Sequence, residues 1–199
     1  MGRTAGRSPE DTRSLLLSAA AEMIRAKGSS ATLDDIAGHA GVSKGGLLYH
    51  FASKDELLIE LAKDLLSEFR ICVEAEIDPD DREPGRFTRA YVRALLSVVH
   101  DEAAARESVA LVAQLVTNPA IAELARAESD AIEARLRADG LPDEVRVLIV
   151  AAADGANSAP IWGGASRSPA ELGQLEQRLI LLTREPGLWQ QVTATLEIC

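Results

Sequence analysis

The run Ser43-Lys44-Gly45-Gly46 concentrates the chemistry this chain offers. A serine is a good helix N-cap, and the first backbone N–H groups of a helix have no intrahelical partner. Those groups, the positive end of the helix dipole and a lysine ammonium together suit an anion such as phosphate. Two glycines leave the approach open. The chemistry predicted is non-covalent recognition of a polyanion. Covalent catalysis lacks its residues: the histidines are His39, His50 and His100, and Cys72 and Cys199 lie far from them. No HExxH or CxxC pattern, no GxSxG elbow and no P-loop occurs. The acidic clusters Asp78-Asp80-Asp81 and Asp143-Glu144 read as a solvated linker and a helix N-terminal turn. The chain is therefore read as a non-enzyme with no metal and no cofactor.

The elements that must position this run are helical. Ala, Leu, Glu and Arg dominate, and the breakers at Gly28, Gly41, Pro79 to Gly85, Asn118-Pro119, Gly140, Gly163-Gly164 and Pro186-Gly187 leave helices of ordinary length. The first helix is expected over Pro9 to Lys27, with Leu16, Ala20, Met23 and Ile24 inward and Gly28 as its stop. Thr32 with Asp35 forms a capping-box start for a short second helix, and Ser43 starts a third through His50. Ser53 with Glu56 starts a fourth, over 54–77. Between the second and third, Ala40-Gly41-Val42 makes a tight turn, with Ala37 small where the helices cross, Val42 filling the space between them, and Leu47 and Phe51 buried. This is the layout of a helix-turn-helix, whose second helix enters the major groove of DNA by its N-terminus. Further helices are expected over 86–101, 103–117, 119–138, 142–163, 169–185 and 187–198. The fold class is all-α: a three-helix head over 1–54 and a larger helical domain over 55–199, with the fourth helix linking the two.

The string Thr32-Leu33-Asp34-Asp35-Ile36-Ala37, Ala40-Gly41-Val42-Ser43-Lys44-Gly45, Leu47, Tyr49-His50-Phe51 and Ser53-Lys54-Asp55-Glu56-Leu57-Leu58 resembles the TetR family of bacterial transcriptional regulators. The resemblance covers about residues 10 to 60. It implies a homodimer whose two heads read a near-palindromic operator, usually to repress, and whose C-terminal domain binds a small molecule that releases DNA. Carried over by position, it implies that Thr32, His50 and Lys54 contact phosphate. Ser43, Lys44, Gly45, Gly46 and Tyr49 then lie at base edges and backbone. Lys44 is the foremost candidate for base readout, because lysine donates to guanine O6 and N7. The chain departs from the family at Gly46, where Thr or Ser is common, and at Leu48, where Tyr is common. Leu48 then either packs inward or meets a thymine methyl, and Tyr49 takes over the phosphate contact. His39 reads as solvated. Arg3, Arg7 and Arg13 read either as a wet surface or as a basic arm toward the minor groove.

In the second half, the helix over 142–163 is apolar over much of its circumference and rich in small residues. Leu148, Ala152, Ala156 and Ala159 on it, with Leu172, Leu175, Leu179 and Leu182 on 169–185, suit a four-helix interface between two copies. The family resemblance points to the same place, and plain intramolecular core is the other reading. Polar groups in apolar surroundings mark a ligand pocket: His100, Gln114, Asp154 and Asn157, with Trp162 beside them. Alternatively each is satisfied by a structural hydrogen bond. The scarcity of aromatics and cations favours a neutral or cationic apolar effector.

The net charge is −10 over 199 residues, a poor match to DNA at first sight. Residues 1–54 hold 7 Lys/Arg and 5 Asp/Glu, leaving 14 and 26 for the rest, so the head is mildly basic and the acidity lies in the body. An acidic body keeps the duplex to the head end. The N-terminal residues do not read as a secretory signal, and Arg146, Asp154 and Asn157 interrupt the longest apolar run. A cytoplasmic location and no membrane partner are expected. A helical adaptor that offers the same exposed helix to a partner protein is the alternative function.

Overall fold

The computed structural model describes residues 8–98, 102–159 and 167–194. Among them the secondary structure is helical: α1 Pro9–Lys27, α2 Leu33–His39, α3 Lys44–His50, α4 Lys54–Ala75, α5 Arg86–Val98, α6 Glu102–Leu115, α7 Pro119–Arg137, α8 Asp143–Ser158, α9 Pro169–Arg184 and α10 Pro186–Ala194. The local signals set the starts. Ser8 caps α1, Thr32 caps α2 and Ser168 caps α9, each exchanging bonds reciprocally with a carboxylate three residues on. Ser53 also caps, accepting from the Glu56 N–H at 3.1 Å, but the Glu56 carboxylate reaches back to the Ala52 N–H at 2.7 Å. The expected helices fall within a few residues of those found. Helix α4 stops sooner than expected, at Ala75, and the expected end of α8 over 160–163 lies outside the described residues.

The chain divides into two compact units. The first holds residues 1–67 and 110–125, and the second holds 68–109 and 126–199. The first unit, the head, is built around Leu16, Ala20 and Ile24 of α1, Ile36 and Ala37 of α2, Leu47 of α3, Phe51, and Leu57 and Leu61 of α4. Leu111, Leu115 and Ile121 complete that core, so the end of α6 and the start of α7 belong to it. Each buried leucine, isoleucine or phenylalanine side chain contributes roughly 1.5–3 kcal/mol.

In the second unit, the body, α5 lies among α8 and α9. Phe87, Val92, Leu95 and Leu96 pack with Val145, Ile149, Leu172 and Leu179. Helix α5 follows Pro84-Gly85 and has no capping residue of its own. Asp139, from the turn after α7, supplies the cap: its carboxylate accepts from the N–H groups of Phe87 and Thr88 at 3.0 and 2.6 Å.

The segment from Asp78 to Gly85 is solvent-exposed, as its composition suggests, except at Asp81 and Gly85. Asp81 is buried and bonded to Arg89, which is itself 0% exposed. Arg89 also donates to the carbonyls of Glu83 and Pro84 and to Thr183 Oγ1 at 3.0 Å. Gly85 takes φ 85°, and a Cβ there would lie 2.9 Å from the Arg89 guanidinium. The buried arginine thus shapes the backbone around it. Among the described residues no single helix is long and apolar enough to cross a membrane.

Candidate nucleic-acid interface

In the head, α2 and α3 are joined by a turn in which the Val42 N–H donates to the Ala37 carbonyl at 3.0 Å and Gly41 takes φ 68°. A residue with a Cβ is strained in that left-handed conformation. The turn sets α3 so that Leu47 and Phe51 are 0% and 1% exposed. Ser43 caps α3, its Oγ accepting from the Gly46 N–H at 3.1 Å. A Cβ on Gly46 would stand 3.3 Å from that Oγ, so glycine here leaves the cap uncrowded. Gly45 has open space around its would-be Cβ.

The outward side of α3 presents Lys44, Gly45, Leu48 and Tyr49. Tyr49 is 83% exposed and stacks edge-on against His50 at 5.2 Å. Leu48 is 41% exposed, which removes the inward-packing reading and leaves an apolar side chain on the outer surface.

The charged groups are not free. Lys44 Nζ donates to Asp34 Oδ2 at 2.7 Å, across the turn from the first turn of α2. Lys27 pairs with Asp35 at 2.6 Å, and Thr32 Oγ1 donates to the same carboxylate at 2.7 Å. The bond from Lys27, then those from Thr32, hold the Asp35 carboxyl well below its usual range. Lys54 Nζ donates to the Ser29 carbonyl at 2.8 Å. His39, expected to be solvated, lies 2.6 Å from a Glu22 carboxylate oxygen. Arg13 does not serve a basic arm: its guanidinium lies over the Phe51 ring at 4.5 Å and bonds Glu60 at 2.5 Å. Arg3 and Arg7 lie outside the described residues. Sequence reasoning missed Asp34, Glu22 and Glu60, because each meets its partner across a tertiary contact that no local spacing announces.

A chain with this head and an all-helical body matches two family models. One, described as bacterial regulatory proteins of the tetR family, covers residues 16–61, and the other, a tetracyclin repressor-like C-terminal domain, covers residues 85–184. The chain belongs to the TetR family. The head model of that family describes bacterial regulatory proteins. A relative is the HTH-type transcriptional repressor KstR2 of Mycobacterium tuberculosis, 36% identical over 96 residues, covering 46% of this chain and 48% of the relative. The chain spans about half the length of curated relatives such as this one. A transcriptional regulator of Rhodococcus sp. Rha1 superposes with a TM-score of 0.67 at 26% identity, covering 86% of this chain and 95% of its own. The multidrug binding protein EbrR complexed with malachite green superposes with a TM-score of 0.67 at 21% identity, covering 86% and 97%. At that identity the likeness is one of fold.

The residues marked for an effector divide between the two units, and two of them lie outside the described residues. His100 and Trp162 lie outside the described residues. Gln114 sits in the head unit, against Gly28. Asp154 and Asn157 remain on α8 of the body. Asp154 accepts a hydrogen bond from Tyr91 at 2.8 Å, and partial burial raises its carboxyl above the usual range. The buried Tyr91 hydroxyl is pushed up in turn, by burial and then by the Asp154 charge. Phe69 stands edge-on to Tyr91 at 6.1 Å.

The residues marked for a dimer interface also separate. Ala156, Leu172 and Leu179 are 3%, 1% and 6% exposed in the single chain, so they are core and have no surface left for a partner. Leu148 is exposed, while Ala152, Ala159, Leu175 and Leu182 are half-buried. Val147 and Leu181, which periodicity did not select, are 54% and 51% exposed. The two helices turn their most regular leucine stripe toward α5 and leave a second apolar stripe outside. Between them runs a groove of about 570 Å³, with Ala151, Ala152, Gly155 and Leu175 among its lining and Arg167 and Arg178 beside them.

Proposed function

We propose that this regulator is a cytoplasmic homodimer that represses by binding a near-palindromic operator with two α3 helices, and that a small apolar or amphipathic effector releases it. The observation that carries the reading is the division of α3. Its Leu47 side is sealed in the head core, while Lys44, Leu48 and Tyr49 stand in solvent at its open face. Lys44 is proposed to read a base edge by exchanging Asp34 for guanine, and Leu48 to meet a thymine methyl. Ser43, Gly45, Gly46 and Tyr49 lie along the groove and backbone. Thr32, His50 and Lys54 take phosphates, Lys54 by leaving the Ser29 carbonyl.

For the dimer, the proposed surface is the outer stripe of α8 and α9: Val147, Leu148, Ala152, Leu175 and Leu181. Exposed apolar side chains on adjacent helices favour it. For the effector, the Tyr91–Asp154 pair with Asn157 supplies polar anchors beside Phe69. A carboxylate in that place suits a neutral or cationic apolar molecule, and the malachite green bound by EbrR is consistent with that class.

Titration of DNA flanking the coding region tests the reading, by fluorescence anisotropy at several salt concentrations. Submicromolar binding that weakens steeply with salt is expected. Binding that is absent at low salt refutes it, and binding of the same head surface to a helical protein instead of DNA would favour the adaptor role.

A further inference from the structure

Helix α3 has seven residues, too few to hold its own shape, so its place depends on what grips its two ends. Ser43 caps the first end, its Oγ accepting from the Gly46 N–H. The far end carries carbonyl groups that have no intrahelical donor. Arg13 of α1 reaches that end from 37 residues earlier in the chain. Its guanidinium lies over the Phe51 ring, 4.5 Å from the centroid, and donates a long bond to the His50 carbonyl oxygen at 3.4 Å. The Phe51 ring is 1% exposed. Nη2 of the same guanidinium bonds Glu60 Oε2 of α4 at 2.5 Å, and Lys63 holds the other Glu60 oxygen at 2.8 Å. A planar guanidinium stacks on a ring and bonds in two directions at once, which a lysine ammonium cannot do. A cation at a helix C-terminus also meets the negative end of the dipole.

We infer that Arg13 is a positioning residue for operator recognition, fixing α3 from its C-terminal end without touching DNA, a role that rests on α3 being the helix that reads the operator. Lys44, Leu48 and Tyr49 stand on the outer side of α3, so a small turn of the helix about the Ser43 cap displaces them together. Base contacts need directed bonds, whereas attraction to phosphate is long-ranged and independent of sequence. Loss of Arg13 therefore removes discrimination between sequences before it removes affinity for DNA in general.

The test has two arms, both on the full chain. The first is amide hydrogen exchange by NMR without DNA. In Arg13→Ala the Leu47 and Phe51 amides, which donate to the Ser43 and Leu47 carbonyls, are expected to exchange about tenfold faster or more, while the Ala40 amide at the end of α2 stays within about twofold. Equal acceleration in α2 and α3, or none in α3, would overturn the inference. The second arm is anisotropy with the flanking duplex that the wild type binds and a random duplex of equal length. Arg13→Ala is expected to lower the ratio of the two affinities about tenfold, the contribution of about one base contact, and Glu60→Ala about threefold, with random-DNA affinity and its salt slope unchanged. A full return of the ratio in Arg13→Lys would reduce the effect to charge and refute the role. A phosphate contact by Arg13 would weaken binding to both duplexes alike and lower the salt slope by about 1, and Glu60→Ala acting only through charge would tighten binding to both. Either result refutes positioning. Should Arg13→Ala fail to fold, Glu60→Ala decides in both arms. If the wild type binds no flanking DNA, the operator reading fails, and the exchange arm still decides whether Arg13 holds α3.

Discussion

The head pairs its charges at the surface, whereas the body, beside exposed pairs such as Arg135–Glu74, buries one pair completely. Lys44–Asp34, Lys27–Asp35 and His39–Glu22 all sit at the surface of the head. Exposed pairs of this kind contribute about 0–1 kcal/mol, so a phosphate or a base edge can replace the carboxylate at little cost. In the body, Arg89 and Asp81 have side chains 0% and 3% exposed, and Arg184 reaches the same carboxylate at 3.0 Å. Burial alone raises the Asp81 carboxyl, but the Glu83 N–H and the two arginines outweigh it and hold it below the usual range. The difference teaches what each pair is for. The head's pairs hold cations in place until something better arrives, whereas the body's pair fixes the backbone between Asp78 and α5.

The strongest test of that contrast removes the buried cation. Arg89→Met is expected to destabilise the protein by about 3–5 kcal/mol, because it leaves the buried Asp81 carboxylate with only the half-exposed Arg184 as a counter-charge. Chemical denaturation measures it, and a loss under about 1 kcal/mol would place the pair in the same class as the head's. Next in size is the split between inner and outer leucines of the body. Leu172→Ala should cost about 2–5 kcal/mol of stability. Leu148→Asp should leave folding nearly unchanged but weaken the dimer about tenfold or more, read by sedimentation. Equal effects of both on folding would erase the two-stripe description of α8 and α9.

Lys44→Ala should lose roughly 1–3 kcal/mol of discrimination between operator and random DNA, with stability altered by less than about 0.5 kcal/mol. Asp34→Asn is the converse: random-DNA affinity should rise and the salt slope steepen by about 1, measured by anisotropy. If random-DNA affinity stays unchanged in Asp34→Asn, Asp34 does not restrain Lys44. The smallest effect is one of pH. The Asp35 carboxyl is held down in the folded state, first by Lys27 and then by Thr32, so its contribution is complete above the unfolded value near ~3.9 and fades as pH falls through the folded one. The melting temperatures of wild type and Asp35→Ala should therefore differ at neutral pH and converge in acid.

Much of the head was legible because its determinants are local. A hydroxyl cap bonds a backbone N–H three residues on, as Thr32 and Ser43 do, and a spacing of three to four residues marks the buried stripe of α1. The same locality misled in the body. The stripe Leu172, Leu175, Leu179, Leu182 is regular enough to serve either a partner or the chain's own core, and periodicity reports only that one face is apolar. Which face meets α5 depends on how α8 and α9 pack. Gln114 is similar: its neighbours in sequence are those of an amphipathic helix, yet its carbonyl oxygen is buried beside Gly28.

The sequence by itself determined where the helices start, that two of them form a helix-turn-helix with Ser43-Lys44-Gly45-Gly46 at its open end, and that this end is less acidic than the rest. Those properties arise from hydrogen bonds and side-chain spacing within a few residues. Only the tertiary structure decided which charges meet, which leucines face inward, and that Gln114 belongs to the head. Each of these depends on groups far apart in the chain, such as Lys44 with Asp34 across a turn and Arg89 with Thr183 across 94 residues. Such contacts follow from the packing of several helices at once, which no single stretch of sequence encodes.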